Sequence, residues 1–291
     1  MSRTGSAAGS AADSSRTREP VVVLVFAHMP RPDELELAAL DQCHRVLGRH
    51  PTRLVCPAGL DVSAYTAVAP GLVVDFIPPR WLSSLRAYNR LKVLPWLYRR
   101  YARFDFLLTH ELDAFVFRDE LLDWCRQGWD YVGAPLFEGF SGCAADSPPI
   151  AGGNSGFSLR RIDSVLRVCR TLRYQRPVRE VVADWRTGRF PLRKTLNDLT
   201  RGNNFFAPLN DWFDHEDLFW SRLVPRRFPW FRVAPYEVAR RLSFESNPRR
   251  LHDECGGRLP FGCHKWMEND RGFWSGHMPQ SATGLARDAV S

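Results

Sequence analysis

The chain has 291 residues, 44% of them hydrophobic and 25% charged, with a net charge of +8, which is the composition of a globular domain with a core and not of a disordered or fibrous chain. No run of about 18 apolar residues is present to make a membrane-spanning helix. Seven cysteines without a Cys-x-x-Cys pair argue against a disulfide framework and for a reducing compartment, so a cytoplasmic protein is expected.

Residues 1–19 and 277–291 are small and polar and are expected to be disordered tails around one domain over 20–276. Val21–Phe26 is a continuous β-branched apolar run, the mark of a buried parallel strand. Pro32, Asp33 and Glu34 open a helical pattern that runs to Leu47 and stops at Gly48. Leu54–Cys56 and Leu72–Ile77 read as further strands, with one or two helical turns over Asp61–Ala69. Ser83–Arg103 is helical, and Pro95 should split it. Phe104–Thr109 is a fourth apolar strand. Strand and helix thus alternate, which predicts an α/β fold: a single Rossmann-like, mostly parallel sheet flanked by helices. Beyond Asp113 the spacing predicts a helix over Asp119–Arg126, a strand over Tyr131–Ala134 and a loop over Glu138–Pro149. A strand over Gly156–Leu159 and a helix over Ile162–Leu172 follow. Gly188–Pro208 lacks periodicity, and Glu216–Leu223 is a short helix.

Between Arg160 and Thr195 there are eleven Arg and Lys against three Asp and Glu. Such a stretch either contacts an anionic membrane surface peripherally or is a solvated helix face. No nucleic-acid motif accompanies it, so no nucleic-acid partner is expected.

Four constellations carry candidate chemistry. Glu111 and Asp113 flank Leu112 just after the Phe104–Thr109 strand, at the end where α/β sheets bind ligands. Paired carboxylates there suit Mg²⁺ or Mn²⁺, while the bland alternative is a helix-capping Asp. Gly152, Gly153, Asn154, Ser155 and Gly156 allow close backbone approach to a ligand, or form a plain turn. The run is neither a P-loop nor a nucleophile elbow. Glu216 and Asp217 begin a helix, as capping acids or as a general base. His264 offers a metal ligand, with Lys265 as a phosphate contact. The grouping of His252, Cys255, Cys263 and His264 fits no usual zinc spacing.

The order of these motifs resembles the GT-A glycosyltransferases. The runs Asn89-Arg90-Leu91, Leu112-Asp113-Ala114-Phe115-Val116-Phe117, Asp130-Tyr131-Val132-Gly133-Ala134-Pro135, Gly156-Phe157-Ser158-Leu159-Arg160, Glu216-Asp217-Leu218-Phe219-Trp220 and Leu259-Pro260-Phe261-Gly262-Cys263-His264 resemble, more closely, a GT-A-related family named only for its unknown function. The motif order is also similar to that of the β-1,4-galactosyltransferases. That resemblance implies a GT-A-like fold with a smaller acceptor-side extension and an inverting transfer from a nucleotide-sugar donor to a glycan or other hydroxyl acceptor. It implies Asp113 and His264 as ligands of a divalent cation, Mn²⁺ or Mg²⁺, with Glu111 as the departure from the usual first acid. Asp217 would be the base beside Glu216, and Gly152–Gly156, Asn89 and Lys92 would bind the donor. Two rivals stand beside it: a nucleotidyltransferase that makes nucleotide sugars, and a non-catalytic glycan-binding protein. The first would need a Gly-rich basic loop after the first strand, where Ala27-His28-Met29-Pro30 stands instead.

Overall fold

The structure, a computed structural model, describes residues 18–170, 178–197, 199 and 215–278. Both expected tails fall almost wholly outside these residues, as do the end of the helix predicted to reach Leu172 and most of 198–208. The described ends extend slightly past the expected limits. Glu19 opens the first strand, His277 stacks on Phe273, and Met278 is buried.

The first half alternates as its sequence predicts: β1 (Glu19–Phe26), α1 (Glu34–Leu47), β2 (Thr52–Pro57), α2 (Ser63–Val68), β3 (Val73–Ile77), α3 (Leu85–Val93), α4 (Pro95–Arg100) and β4 (Phe104–His110). Asp33 starts α1 with a capping box. Its carboxylate accepts from the Glu36 amide, and the Glu36 carboxylate accepts from the Asp33 amide, so two otherwise orphaned helix-end donors are satisfied. Pro95 divides the Ser83–Arg103 stretch into α3 and α4, because it lacks the N–H that a continuous helix would need.

The remainder comprises β5 (Ala114–Val116), α5 (Leu121–Arg126), β6 (Tyr131–Phe137), β7 (Pro149–Arg161), α6 (Ile162–Cys169), α7 (Val178–Arg186), α8 (Leu192–Asn197), α9 (Glu216–Leu218), α10 (Val224–Arg227), α11 (Tyr236–Leu242), β8 (Ser243–Phe244), α12 (Pro248–Glu254), β9 (Gly262–His264) and α13 (Arg271–Ser275). The helix predicted over Glu216–Leu223 is one α turn followed by a π turn over Phe219–Leu223. Part of the predicted irregular stretch Gly188–Pro208 is α8.

Six strands form the main sheet in the order β3-β2-β1-β4-β7-β6. β3, β2, β1 and β4 run parallel, and β7 and β6 add antiparallel pairs. The fold is therefore α/β with a mostly parallel sheet flanked by helices. β1 shows why its run is apolar throughout. Val22, Leu24 and Phe26 pack on one face with Leu91, Leu97 and Val165. Val21 and Val23 pack on the other with Cys43, Leu47 and Trp124. Alternate residues of a strand point to opposite faces, and both faces here are covered. A second sheet, β5-β9-β8, has three short strands.

The main departure from the sequence reading is β7. The glycine-bearing run 152–156, read as a segment approaching a ligand or as a turn ahead of a strand, lies inside a strand of 13 residues. A side chain at Gly133 would meet the Asn154 carbonyl, and one at Gly153 would meet the Gly133 carbonyl. These glycines let β6 and β7 approach where their register shifts. The basic stretch is also not one surface, since Arg160 is fully buried. Among the described residues no helix is long and apolar enough to cross a membrane.

Candidate metal centre and adjoining cleft

β1 and β4 are neighbours, yet the chain leaves β1 toward β2 on one side and returns to β4 on the other. That reversal makes a crevice at the strand ends, the usual ligand site of open α/β sheets. Glu111 follows β4 directly. Its amide donates to the Gly156 carbonyl, and its own carbonyl accepts from Ala114 at 3.0 Å. The tight turn delivers the chain into β5, where Ala114 pairs with His264 of β9. A turn and one register thus bring Glu111, Asp113 and His264 together, with candidate ligand atoms all within 4.8 Å of one another.

His264 Nε2 lies 3.2 Å from Asp113 Oδ1 and 3.3 Å from Glu111 Oε2, and Nδ1 lies 3.5 Å from Glu245. Burial disfavours a charged imidazole, but the carboxylates of Glu245, Asp113 and Glu111 outweigh it and hold its pKa well above the ordinary histidine value. Neither ring nitrogen makes a well-formed hydrogen bond although both are buried. Two carboxylates and an imidazole form a donor set suited to a divalent cation such as Mn²⁺. Gly156 makes room for this ring, because a Cβ there would overlap the imidazole.

Behind the cluster lies a buried ionic network. Glu111 Oε1 accepts from Tyr88 Oη at 2.7 Å and from Lys92 Nζ at 2.8 Å. Lys92 Nζ also reaches Ser155 Oγ at 2.9 Å and Glu216 Oε1 at 2.8 Å. Arg160 meets the other Glu216 oxygen at 2.9 Å, and Asn89 accepts from the Glu216 amide. Two cations face two anions, as burial requires. Burial opposes ionisation of Glu111, but Lys92 and His264 keep it well below the usual carboxylate range. For Glu216 the same opposition is overcome by Arg160 and Lys92.

Several of the predicted site residues are engaged by protein groups in this arrangement. Lys92, at 2% exposure, has its ammonium turned inward onto three protein groups. Glu216 is likewise committed to Lys92 and Arg160, and Asn89 to the Glu216 amide. Gly152, Gly153 and Gly156 are accounted for by protein atoms where their side chains would be, and Ser155 by Lys92. Asp113 caps no helix: Asp119 accepts from Leu121 at the start of α5. Cys263 is buried in apolar surroundings, and no group of His252, Cys255 and Cys263 forms a metal cluster among the described residues.

Asp217 and Asn154 do open on a cavity. A cleft of about 280 Å³ is lined by Asn154, His215, Asp217, Glu245 and Lys265, together with Leu136 and Phe140. Glu245 joins this cleft to His264. Burial, aided by Glu216, pushes the Asp217 carboxyl up to about 6, against the opposing hydrogen bond from the Leu218 amide. Glu245 was missed in the sequence, where an isolated acid gives no signal. Tyr88 was missed too, although its i,i+4 spacing from Lys92 on α3 places the two on one helix face. A larger cavity of about 440 Å³, lined by Arg118, Arg240, Arg241 and Arg258 among others, contains none of the predicted residues.

The chain is similar to mouse xyloside xylosyltransferase 1, at 12% identity and a TM-score of 0.45 over 84% of this chain and 97% of that one. It is also similar to a cytidylyltransferase from Leptospira borgpetersenii serovar Hardjo-bovis, at 10% identity and a TM-score of 0.32 over 53% of this chain and 66% of that one. Likenesses of that depth assign neither a reaction nor a substrate. No curated protein sequence matches the chain. Residues 71–264 match the family described as "Protein of unknown function (DUF5672)", a match that spans the acids after β4, the β6–β7 pair and His264, and the chain belongs to that family.

Proposed function

We propose that this chain is a metal-dependent, inverting glycosyltransferase of the GT-A type, moving a sugar from a nucleotide-sugar donor to a hydroxyl acceptor. The observation that carries the reading is the meeting of Glu111, Asp113 and His264 at the sheet's switch point, next to a cleft holding a carboxylate poised near neutrality. Glu111, Asp113 and His264 would hold the divalent cation, Mn²⁺ or Mg²⁺, whose contribution when bound is to neutralise charge on the departing diphosphate. Lys265, at the same cleft, adds positive charge for phosphate oxygens. Asn154 offers its amide nitrogen to a donor hydroxyl while its oxygen holds the Gly156 amide. Asp217 takes the proton of the attacking hydroxyl. With a pKa of about 6 it is ionised at pH 7 to 8 yet basic enough to accept that proton. Lys92, Glu216, Asn89 and Ser155 act from behind, fixing Glu111 and the start of α9.

The test is thermal denaturation with uridine and guanosine diphosphates, with and without Mn²⁺, alongside a hydrolysis screen of nucleotide sugars. Binding at a hundred times the dissociation constant should stabilise the fold by about 2.7 kcal/mol, and Asp113→Ala should abolish the Mn²⁺-dependent part. No response to any diphosphate, or a full response in Asp113→Ala, would sink the reading. A cytoplasmic site of action is proposed on the cysteine content alone. Peripheral contact with an anionic membrane is a separate proposal, narrowed to α7 and α8, where Val178, Trp185, Leu192 and Leu196 are exposed. Salt-insensitive absence of binding to anionic liposomes would remove it.

A further inference from the structure

The cleft at Asp217 continues beyond Lys265. A neighbouring cavity of about 220 Å³ is bounded by Asn247, Arg249, Asn269 and Asp270. Ser141 and Ser246 line both spaces, so the two form one groove. The four non-glycine residues with left-handed backbone among the described residues are Phe140, Asn247, Lys265 and Asp270, at φ of 51° or 53°, and all four line this groove. Asn247 and Asp270 cap α12 and α13 and are residue types that take this conformation readily; at Phe140 and Lys265 it is costly, as is common at ligand sites.

The chemistry of the outer part is neutral. Arg249 forks onto Asp270 at 2.6 and 2.9 Å, and Arg250 is held by Glu254 at 2.8 Å. Those cations are matched inside the protein. What stays available is the hydroxyls of Ser141 and Ser246 and the amide of Asn269, none of which has a side-chain partner among the described residues. Phe140 lines the inner cleft next to Ser141, 44% exposed, on a backbone turn led by Gly139. An anion would find no free cation in the outer part. A wholly apolar ligand would strip water from Ser and Asn groups and return nothing. A pyranose ring satisfies both demands, since its C–H face stacks on an aromatic ring and its hydroxyls take up Ser and Asn.

We propose that this groove is the acceptor site and that the acceptor is a neutral saccharide. It lies along Asn269 and Ser246, stacks on Phe140 and presents a hydroxyl to Asp217. The inference rests on the transferase reading above and adds the acceptor class to it.

The experiment uses the fluorescently labelled full chain on an array of neutral and acidic glycans, with Phe140→Ala and Asn269→Asp beside the wild type. Neutral glycans should bind. Phe140→Ala should weaken them by about tenfold, the loss of one stacking contact. Its melting temperature should match the wild type, because the ring is exposed. Asn269→Asp, which places an unmatched carboxylate in a neutral groove, should also weaken them. A blank array, a preference for acidic glycans, or unchanged binding in both variants overturns the proposal. The Mn²⁺-dependent diphosphate response of the wild type, measured in parallel, separates the two claims. A response with a blank array removes the saccharide groove and leaves the transferase. Neutral-glycan binding with no such response removes the transferase and, with it, the role of acceptor.

Discussion

Replacing Asp217 by Asn should cost activity and raise stability together. The Asp217 carboxyl sits at about 6 in the folded chain against an ordinary value of 3.8. A difference of roughly two units corresponds to about 3 kcal/mol of unfavourable ionisation once the group is charged. The sign follows from proton counts. Between about pH 4 and 6 the folded protein keeps a proton that the unfolded chain has released. Stability contributed by this site therefore falls as pH rises through that window and stays low above it. Asp217→Asn cannot ionise, so its stability advantage should be near zero at pH 4 and reach about 2–3 kcal/mol above pH 7. The assay is urea denaturation of both proteins from pH 4 to 8. In parallel, kcat/KM for the wild type should rise with pH around an apparent pKa of about 6. The Asn variant should lose roughly 10²–10⁴ of turnover while keeping donor binding. A variant with wild-type turnover, or one whose stability tracks the wild type at every pH, would refute the assignment of Asp217 as a desolvated base.

Gly156→Ala should drive the His264 ring from its place, costing about 1–3 kcal/mol of stability by overpacking and most of the Mn²⁺ affinity; calorimetric titration with Mn²⁺ would read this, and unchanged affinity would contradict the packing argument. Lys92→Met should leave Glu111 and part of Glu216 buried without their shared cation, a loss of about 3–5 kcal/mol. Urea unfolding measures it, and adding Glu216→Gln should recover part of the loss. Gly133→Ala should be worse than an ordinary surface change, because its methyl would strike the Asn154 carbonyl across β6 and β7. Poor soluble yield or a melting temperature many degrees lower is the expected result.

The parallel half of the sheet was legible because local and global demands agree there. Val21–Phe26 is apolar on both faces, Phe104–Thr109 sends apolar residues into the cores on both sides, Asp33 carries its own cap, and Pro95 can only divide a helix. β7 was read short because Gly152, Gly153 and Gly156 are turn residues by local preference. Close approach to Gly133, Ser221 and His264, which requires them, is invisible along the chain. The small sheet was missed for a simpler reason: strands of two or three residues, such as Ser243–Phe244 and Gly262–His264, leave no periodicity. At the candidate site the acids after β4, His264 and Asp217 were singled out only as residue types in a suggestive order. The inward turn of Lys92 and Glu216 was not found, since a charge alone does not tell whether water or a partner will meet it. Glu245 gave no sign at all.

The pairing of Ala114 with His264 sets a timetable for synthesis. More than half of the chain lies between Asp113 and His264, so a ribosome adding roughly 5–20 residues per second exposes the two acids for about 8–30 seconds before their imidazole partner exists. A nascent or prematurely ended product that stops after β7 would contain every strand of the main sheet and still lack the imidazole of His264. Were Glu111, Asp113 and His264 the ligands of an ion, as proposed, three-point capture would have to wait until residue 264 is made.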